Sequence, residues 1–353
     1  MKKFNGAIAF LLAIIFVAVG GFGGYYGYTE INTLEGDVYS NGSMQVHFME
    51  LGNDKAGDCT YIKAGETDIL IDGGSNYDSV DDISNYINQY VTDGVLEYVI
   101  VTHADMDHIA CFAGSNSNQS LFEIYECEVI IDFALTNKTT QVYNKYIEKR
   151  DAEIAAGATH YTAAECIEQG NDVFFVSSGV TMRILNQKYY YEKTGDENDY
   201  SVCTLFTCGE ENLLFTGDLE EKGEESLVEM NTLPKVTLFK AGHHGSPTSS
   251  NAALMSVIQP EIVCVCCCAG TDEYTDNPAN QFPSQAMIDN VAPYTDKVYI
   301  PTTVDGEGYK SMNGNITVSI LRGKVTVTCS VSNTKLKDTE WFKNNRTTPQ
   351  AWK

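Results

Sequence analysis

"VTHADMDHIA", Val101–Ala110, places two histidines and two aspartates within six residues, directly behind the apolar run Tyr98-Val99-Ile100-Val101. The run reads as a buried strand and the polar cluster as the loop at its end. Polar residues recur where other apolar runs stop. Asp72 follows "TDILI", Asp218 follows "NLLFTG", and His243-His244 follow "KVTLFKAG". Four of the six histidines therefore sit in two such loops. Strand ends meet on one rim of a sheet, so these distant residues can share a cleft. A lone histidine at a strand end is ordinary packing. Two histidine-bearing loops with a Gly-Asp loop call for another explanation.

Imidazoles and carboxylates in this pattern suit a pair of divalent cations. Residues two apart in an extended segment point the same way, so His103 and Asp105 can share one ion. Asp107 and His108 can then turn toward a second. Asp218, with an oxygen on each side, can bridge, and either His243 or His244 completes the second ion. Two ions about 3.5–4 Å apart activate a hydroxide and stabilise an oxyanion or phosphoryl group.

Around these loops the pattern mixes strands and helices without strict alternation, which favours a layered α+β sandwich over a doubly wound parallel sheet. "GSMQVHFMELG" alternates as a strand, and "CTYIKAGETDILIDGGS" reads as a hairpin turning at Ala64-Gly65-Glu66. Residues 81–91, 138–157, 220–230 and 251–258 have helical spacing. "NITVSILRGKVTVTCS" reads as a closing hairpin. "VCVCCCAG", Val263–Gly270, reads as one buried strand. Its consecutive cysteines point to opposite faces, so they count as small buried apolar residues rather than a chelate.

The chain has 353 residues, 43% of them hydrophobic, and a formal net charge of -25. So acidic a chain repels long polyanions, which disfavours long nucleic acid as a partner. Lys2 and Lys3 precede the apolar stretch "AIAFLLAIIFVAV", Ala7–Val19. That stretch reads as an uncleaved membrane anchor with the domain outside, or as a signal peptide of a secreted protein. The expected organisation is an anchor or signal over 1–28, a linker over 29–41, one domain over 42–332 and a polar C-terminal tail over 333–353.

"THADMDH", "LLFTGDLE" and "KAGHHGS" resemble the metal motifs of the metallo-β-lactamase superfamily. "VHFMELG…GDCTYIKAGETDILIDGG", with "ENDYS", "HHGSPTSS" and "NGNITV", is similar to the soluble hydrolase domain of the ComEC branch. The resemblance implies a four-layer αββα sandwich after the single hydrophobic segment. It implies metal ligands at His103, Asp105, Asp107, His108, Asp218 and His243 or His244, with Asp107, His243 and His244 in the catalysis. Asp72 matches an aspartate that supports the metal loops. Asn198 and Ser201 match positions where the wider superfamily places another histidine, which weakens the first metal position. Phe282-Pro283 stands where relatives have His-Pro, and Phe282 reads as a packing aromatic.

The function this implies is a metal-dependent hydrolase, a phosphodiesterase acting through a metal-activated hydroxide on a short substrate. One or two divalent ions are expected. Zinc leads, and the carboxylate-rich set makes manganese or iron competitive. Ser75, Asn76, Ser246, Thr248, Ser249 and Ser250, with Lys240 near in sequence, are the candidate donors to phosphate oxygens. The alternatives are a low-turnover metal-binding or sensory protein of the same fold and a lactamase- or lactonase-type hydrolase.

Overall fold

A computed structural model describes residues 42–353. The expected anchor and linker lie outside the described residues. Among the described residues no helix is long and apolar enough to cross a membrane.

Two mixed sheets organise the chain. Its first part supplies β1 (Ser43–Phe48), β2 (Thr60–Ala64), β3 (Thr67–Ile71), β4 (Val95–Ile100), β5 (Glu126–Asp132) and β6 (Thr159–Thr162). Next come β7 (Val173–Ser177), β8 (Val180–Leu185), β9 (Cys203–Cys208), β10 (Glu211–Phe215), β11 (Leu238–Lys240) and β12 (Ile262–Cys264). The last six are β13 (Cys268–Ala269), β14 (Val298–Tyr299), β15 (Thr302–Asp305), β16 (Gly308–Ser311), β17 (Ile316–Leu321) and β18 (Lys324–Cys329). The eight-stranded sheet has the order β18-β17-β1-β2-β3-β4-β5-β6, and the seven-stranded sheet β14-β12-β11-β10-β9-β8-β7. A small third sheet is β13-β15-β16.

Strand alternation explains how the layers meet. Leu213, Phe215, Leu238 and Cys264 point into a first core, which they share with Val46, Ile62 and Ile69 of the eight-stranded sheet. Phe48 stacks on Phe215 across that interface at 6.5 Å. The intervening residues Leu214, Phe239 and Val263 point the other way, into a second core. Both faces of these strands are buried, which is why "NLLF" and "EIVC" read as unbroken apolar runs. Helices α1 (Ser79–Ile87), α2 (Met106–Ala113), α3 (Leu121–Ile124) and α4 (Gln141–Ala156) join the first core through Ile83, Phe112, Leu121 and Tyr146. After α5 (Ala163–Glu168), helices α6 (Glu221–Met230), α7 (Ala252–Ile258) and α8 (Gln285–Val291) supply Leu227, Met255 and Ile288 to the second.

Two expectations are corrected. Residues 333–353 are not a tail outside the domain. Leu336, Phe342 of α9 (Glu340–Asn345) and Trp352 are buried in the second core. The Trp352 indole donates to the Thr295 carbonyl at 2.8 Å. Three apolar residues so far apart have no periodicity, so the polar background hid them. The cysteine run is not one strand either. It splits into β12 of the seven-stranded sheet and β13 of the small sheet, with Cys266 and Cys267 buried between them.

Candidate metal centre

Strand register brings the polar loops together. β3 and β4 are parallel with Ile71 opposite Ile100, so Asp72 and the His103–His108 segment leave one rim side by side. β10 and β11 are parallel with Phe215 opposite Lys240, which does the same for Asp218 and the histidine pair. A backbone bond from Val202 to the Thr102 carbonyl, 2.9 Å, joins the two rims. Gly217, before Asp218, has φ +54, and a methyl there would come within 2.8 Å of Thr102 and Ser201. Only glycine fits both demands.

Asp72 (φ 61) turns its carboxylate back under the site. It accepts the Thr102 N–H and hydroxyl, both at 2.8 Å, and faces His108 Nδ1 at 2.9 Å. His108 lies in the first turn of α2, where the sequence reading placed a loop. With Nδ1 held by Asp72, its Nε2 faces Asp218 Oδ2 at 3.1 Å. His244 is arranged alike. Its Nδ1 faces the Cys266 carbonyl at 3.0 Å and Asp58 Oδ1 at 3.2 Å. Its Nε2 faces Asp218 Oδ2 at 3.0 Å and Asp107 Oδ2 at 3.1 Å.

Asp58, His108, Asp218 and His244 are all buried and offer ligand atoms within 4.8 Å of one another. Asp107 reaches the same cluster through His244 Nε2 alone, at 3.1 Å. The two aspartates, Asp58 and Asp107, differ in which ring nitrogen they face. Asp58 approaches the Nδ1 atoms, at 3.2 Å from His244 and 3.9 Å from His108, whereas Asp107 and Asp218 approach the Nε2 atoms. The Nε2 side brings both rings within 3.1 Å of Asp218 Oδ2. It also leaves each Nδ1 to a partner behind it, the usual arrangement of a ligating imidazole. Asp218 Oδ1 and His103 Nε2 are buried without a hydrogen-bond partner. Buried acceptors of this kind are costly, and a divalent cation fits such a donor set.

The charges are mutually dependent. Burial alone would raise the Asp218 carboxyl, but the His108, His244 and Lys240 charges hold it well below the usual range. Burial would lower His108, and Asp218 and Asp72 instead raise it well above an ordinary imidazole. His244 is raised in the same way by Asp218 and Asp58 against its burial. The buried Lys240 ammonium contacts Asp58, and lies 3.2 Å from the Gly217 carbonyl and 3.5 Å from Asp218 Oδ1.

The remaining expected residues are spread around this cluster. His103 is buried with its ring 4.1 Å from that of His108. Its Nε2 lies 3.6 Å from Asp105 Oδ2, and Asp105 also pairs with Lys138. Ser201 approaches His103 from the Nδ1 side at 3.4 Å and accepts the Asp218 N–H at 3.0 Å. Asn198 instead turns away and donates to Glu220 at 3.3 Å. His243 and His244 both have positive φ, 46 and 53, and their rings diverge. His244 enters the cluster, while His243 Nδ1 lies 3.2 Å from both Glu220 Oε1 and Thr248 Oγ1. Ser246 bonds Thr248 at 2.9 Å. Phe282 packs against both imidazoles, at 5.8 and 6.0 Å.

Several expected phosphate donors are already engaged. Ser249 donates to the Leu219 carbonyl, Ser250 accepts the Gly242 N–H, and Ser75 bonds Asn53. Lys240 is buried behind the cluster rather than exposed at it. Sequence reasoning missed Asp58, Lys138, Glu220 and Tyr274. Asp58 could have been found. β2 runs antiparallel to β3, with Thr60 opposite Ile71, so the start of β2 lies on the rim where β3 ends. A search confined to strand ends passes over a Gly-Asp pair at a strand start.

Residues 52–114 match the model of the metallo-beta-lactamase superfamily. Recombination protein 2 of Haemophilus influenzae is 35% identical over 72 residues, 20% of this chain and 9% of that protein. ComE operon protein 3 of Bacillus subtilis is 24% identical over 173 residues, 47% of this chain and 19% of that protein. The matches thus span less than a fifth of either relative's length. Among solved structures, the metallo-beta-lactamase fold protein YhfI from Bacillus subtilis is similar at 12% identity, with a TM-score of 0.44, over 73% of this chain and 96% of that one. The chain is a metallo-β-lactamase-fold protein, distantly related over part of its length to the ComEC and Rec2 group of competence proteins.

Proposed function

We propose that this chain is a metal-dependent hydrolase of short phosphodiesters, built on a four-layer αββα frame. The observation that carries the reading is the convergence of His108 Nε2 and His244 Nε2 on Asp218 Oδ2, with Asp107 Oδ2 beside them. In this reading Asp107, His108, Asp218 and His244 hold one divalent ion. Asp72 and Asp58 orient the two imidazoles from behind. His103 and Asp105 are the ligands of a second, weaker position. Asp218 Oδ1 is 3.5 Å from the Lys240 ammonium, and Oδ2 is the oxygen turned to the two imidazoles. A bound ion would supply Lewis acidity and lower the pKa of a water molecule. His243, held at Nδ1 by Glu220 and Thr248, keeps Nε2 free to pass a proton to a leaving group.

The net charge of -25 favours a short substrate over a long polyanion. We further propose that residues 1–28 are a membrane anchor with the domain outside, or the signal peptide of a secreted protein. Metal content of the purified chain, followed by turnover of bis(p-nitrophenyl) phosphate, a lactam and duplex DNA on the same sample, tests the reading. Metal uptake with turnover of the small phosphodiester first is the expected result. A lactam hydrolysed without phosphodiester turnover would overturn the substrate class. One observation favours a low-turnover metal-binding protein instead: Lys138 occupies Asp105, half of an already thin second position.

A further inference from the structure

The cluster is closed on one side and open on the other. The Asp58, Asp72, Asp218, His108 and His244 side chains are at most 4% exposed, whereas Asp107 is 14% and Asp105 28% exposed. Each of these two outer carboxylates is met by one donor from a separate loop. Lys138, in the segment after β5, pairs with Asp105. Tyr274, in the segment after β13, donates its hydroxyl to Asp107 Oδ2 at 2.7 Å. Its ring packs on Phe282 at 5.6 Å. The neighbouring Glu273 ties that segment down, accepting the Ala56 N–H at 3.0 Å and pairing with Lys55 at 3.3 Å. The hydroxyls of Ser75, Ser249 and Ser250 and the Lys240 ammonium, four of the seven donors suggested by sequence, are engaged away from this opening.

We infer that Lys138 and Tyr274 form the anion-recognition pair of this site and bind the phosphoryl oxygens of the substrate. The inference rests on the reading of the cluster as a metal centre. Both donors now face carboxylates that a divalent cation would claim. With those carboxylates engaged by a cation, the Lys138 ammonium and the Tyr274 hydroxyl would be left at the opening in need of new acceptors. Non-bridging phosphate oxygens are suitable new acceptors, because charge-assisted bonds of this kind are strong. Lys138 supplies charge and Tyr274 a neutral donor held by its packing on Phe282.

The test uses the full chain loaded with Mn²⁺ and inorganic phosphate as the probe, followed by calorimetry. Lys138→Gln and Tyr274→Phe should each weaken phosphate binding about tenfold, with Mn²⁺ affinity changed less than about threefold. Lys138→Arg should restore most of the phosphate affinity. Acetate should bind at least about tenfold more weakly than phosphate. Four results would overturn the inference: no phosphate binding by the loaded wild type, unchanged phosphate affinity in both variants, loss confined to Mn²⁺ affinity, or acetate binding as tightly as phosphate. The third would mean that the pair merely braces Asp105 and Asp107. The outcome is separable from the proposed turnover. Phosphate binding that depends on Lys138 and Tyr274 would stand even without phosphodiester hydrolysis, and hydrolysis could persist if the pair had no role.

Discussion

On the floor of the cluster, Asp72, His108, Asp218 and His244 each meet several groups of the chain, nearly all of them buried. At the mouth, Asp105 and Asp107 meet donors from partly exposed loops, Lys138 and Tyr274. The residue types are alike in the two regions, but their surroundings differ. Rigid strand ends and backbone bonds position the floor, so its geometry is set before any ion arrives. The mouth is held by side chains that can exchange partners. Preorganised ligands belong on the floor and exchangeable contacts to substrate at the mouth.

The largest expected effect breaks the floor. Asp218→Asn removes a charged oxygen shared by both imidazoles. It should abolish metal binding at the cluster and reduce phosphodiester turnover below detection. Asp105→His, at the mouth, should keep the floor ion and some turnover, with preference moving toward zinc. Equal loss in both variants, measured as metal content and rate, would erase the distinction.

Next in size is Asp72→Ala, which leaves the Thr102 N–H and His108 Nδ1 without their carboxylate. Metal affinity should fall about 10- to 100-fold, the usual cost of losing an orienting partner. A competition titration with a chromophoric chelator measures it, and an unchanged affinity would show that Asp72 does not orient His108.

Proton release sharpens the same comparison. Burial disfavours the charged forms of His108 and His244, but their carboxylate neighbours raise both above the ordinary imidazole range. An ion must therefore displace protons from the floor, and affinity should fall as pH falls. Calorimetry in two buffers of different ionisation heat should show net proton release near neutral pH. Uptake, or no exchange, would contradict the charge assignment.

The last effect lies outside the site and falls on stability rather than on metal affinity. His47 is as buried as His108 but packs among Tyr61, Tyr86 and Tyr90, with no carboxylate partner. Burial lowers its pKa to about 4. The folded chain therefore prefers neutral His47. Its stabilising contribution is complete above about pH 6.5 and is lost as pH falls from there to about 4. Over that window the loss should be about 3 kcal/mol. The difference in denaturant stability between wild type and His47→Gln should narrow on acidification. A difference independent of pH would mean that His47 is not held neutral.

Much of this contrast was legible in the sequence. Asp72, His103, Asp107, His108, Asp218 and the histidine pair stood out because each follows an apolar run. Strand pairing does place those run ends on shared rims. Three things were missed, the first of them although the hairpin that carries it was read. Asp58 precedes its strand, and only the antiparallel pairing of β2 with β3 brings it to the rim. Lys138 and Tyr274 sit in irregular segments, whose positions depend on tertiary contacts such as Glu273 with Ala56. The orientations of His243 and His244 depend on two consecutive left-handed residues, a conformation that no side-chain pattern announces. The C-terminal residues were misread for a related reason: Leu336, Phe342 and Trp352 are anchored by sites far away in sequence.

Bound metal per chain in His243→Ala and His244→Ala tests the central assignment most directly. His244 Nε2 lies 3.0 Å from Asp218, whereas His243 is turned to Glu220. After reconstitution with Zn²⁺ or Mn²⁺ and elemental analysis, His243→Ala should retain the wild-type metal content and lose turnover, while His244→Ala should lose the metal. Retention of metal by His244→Ala, with loss from His243→Ala, would contradict the account.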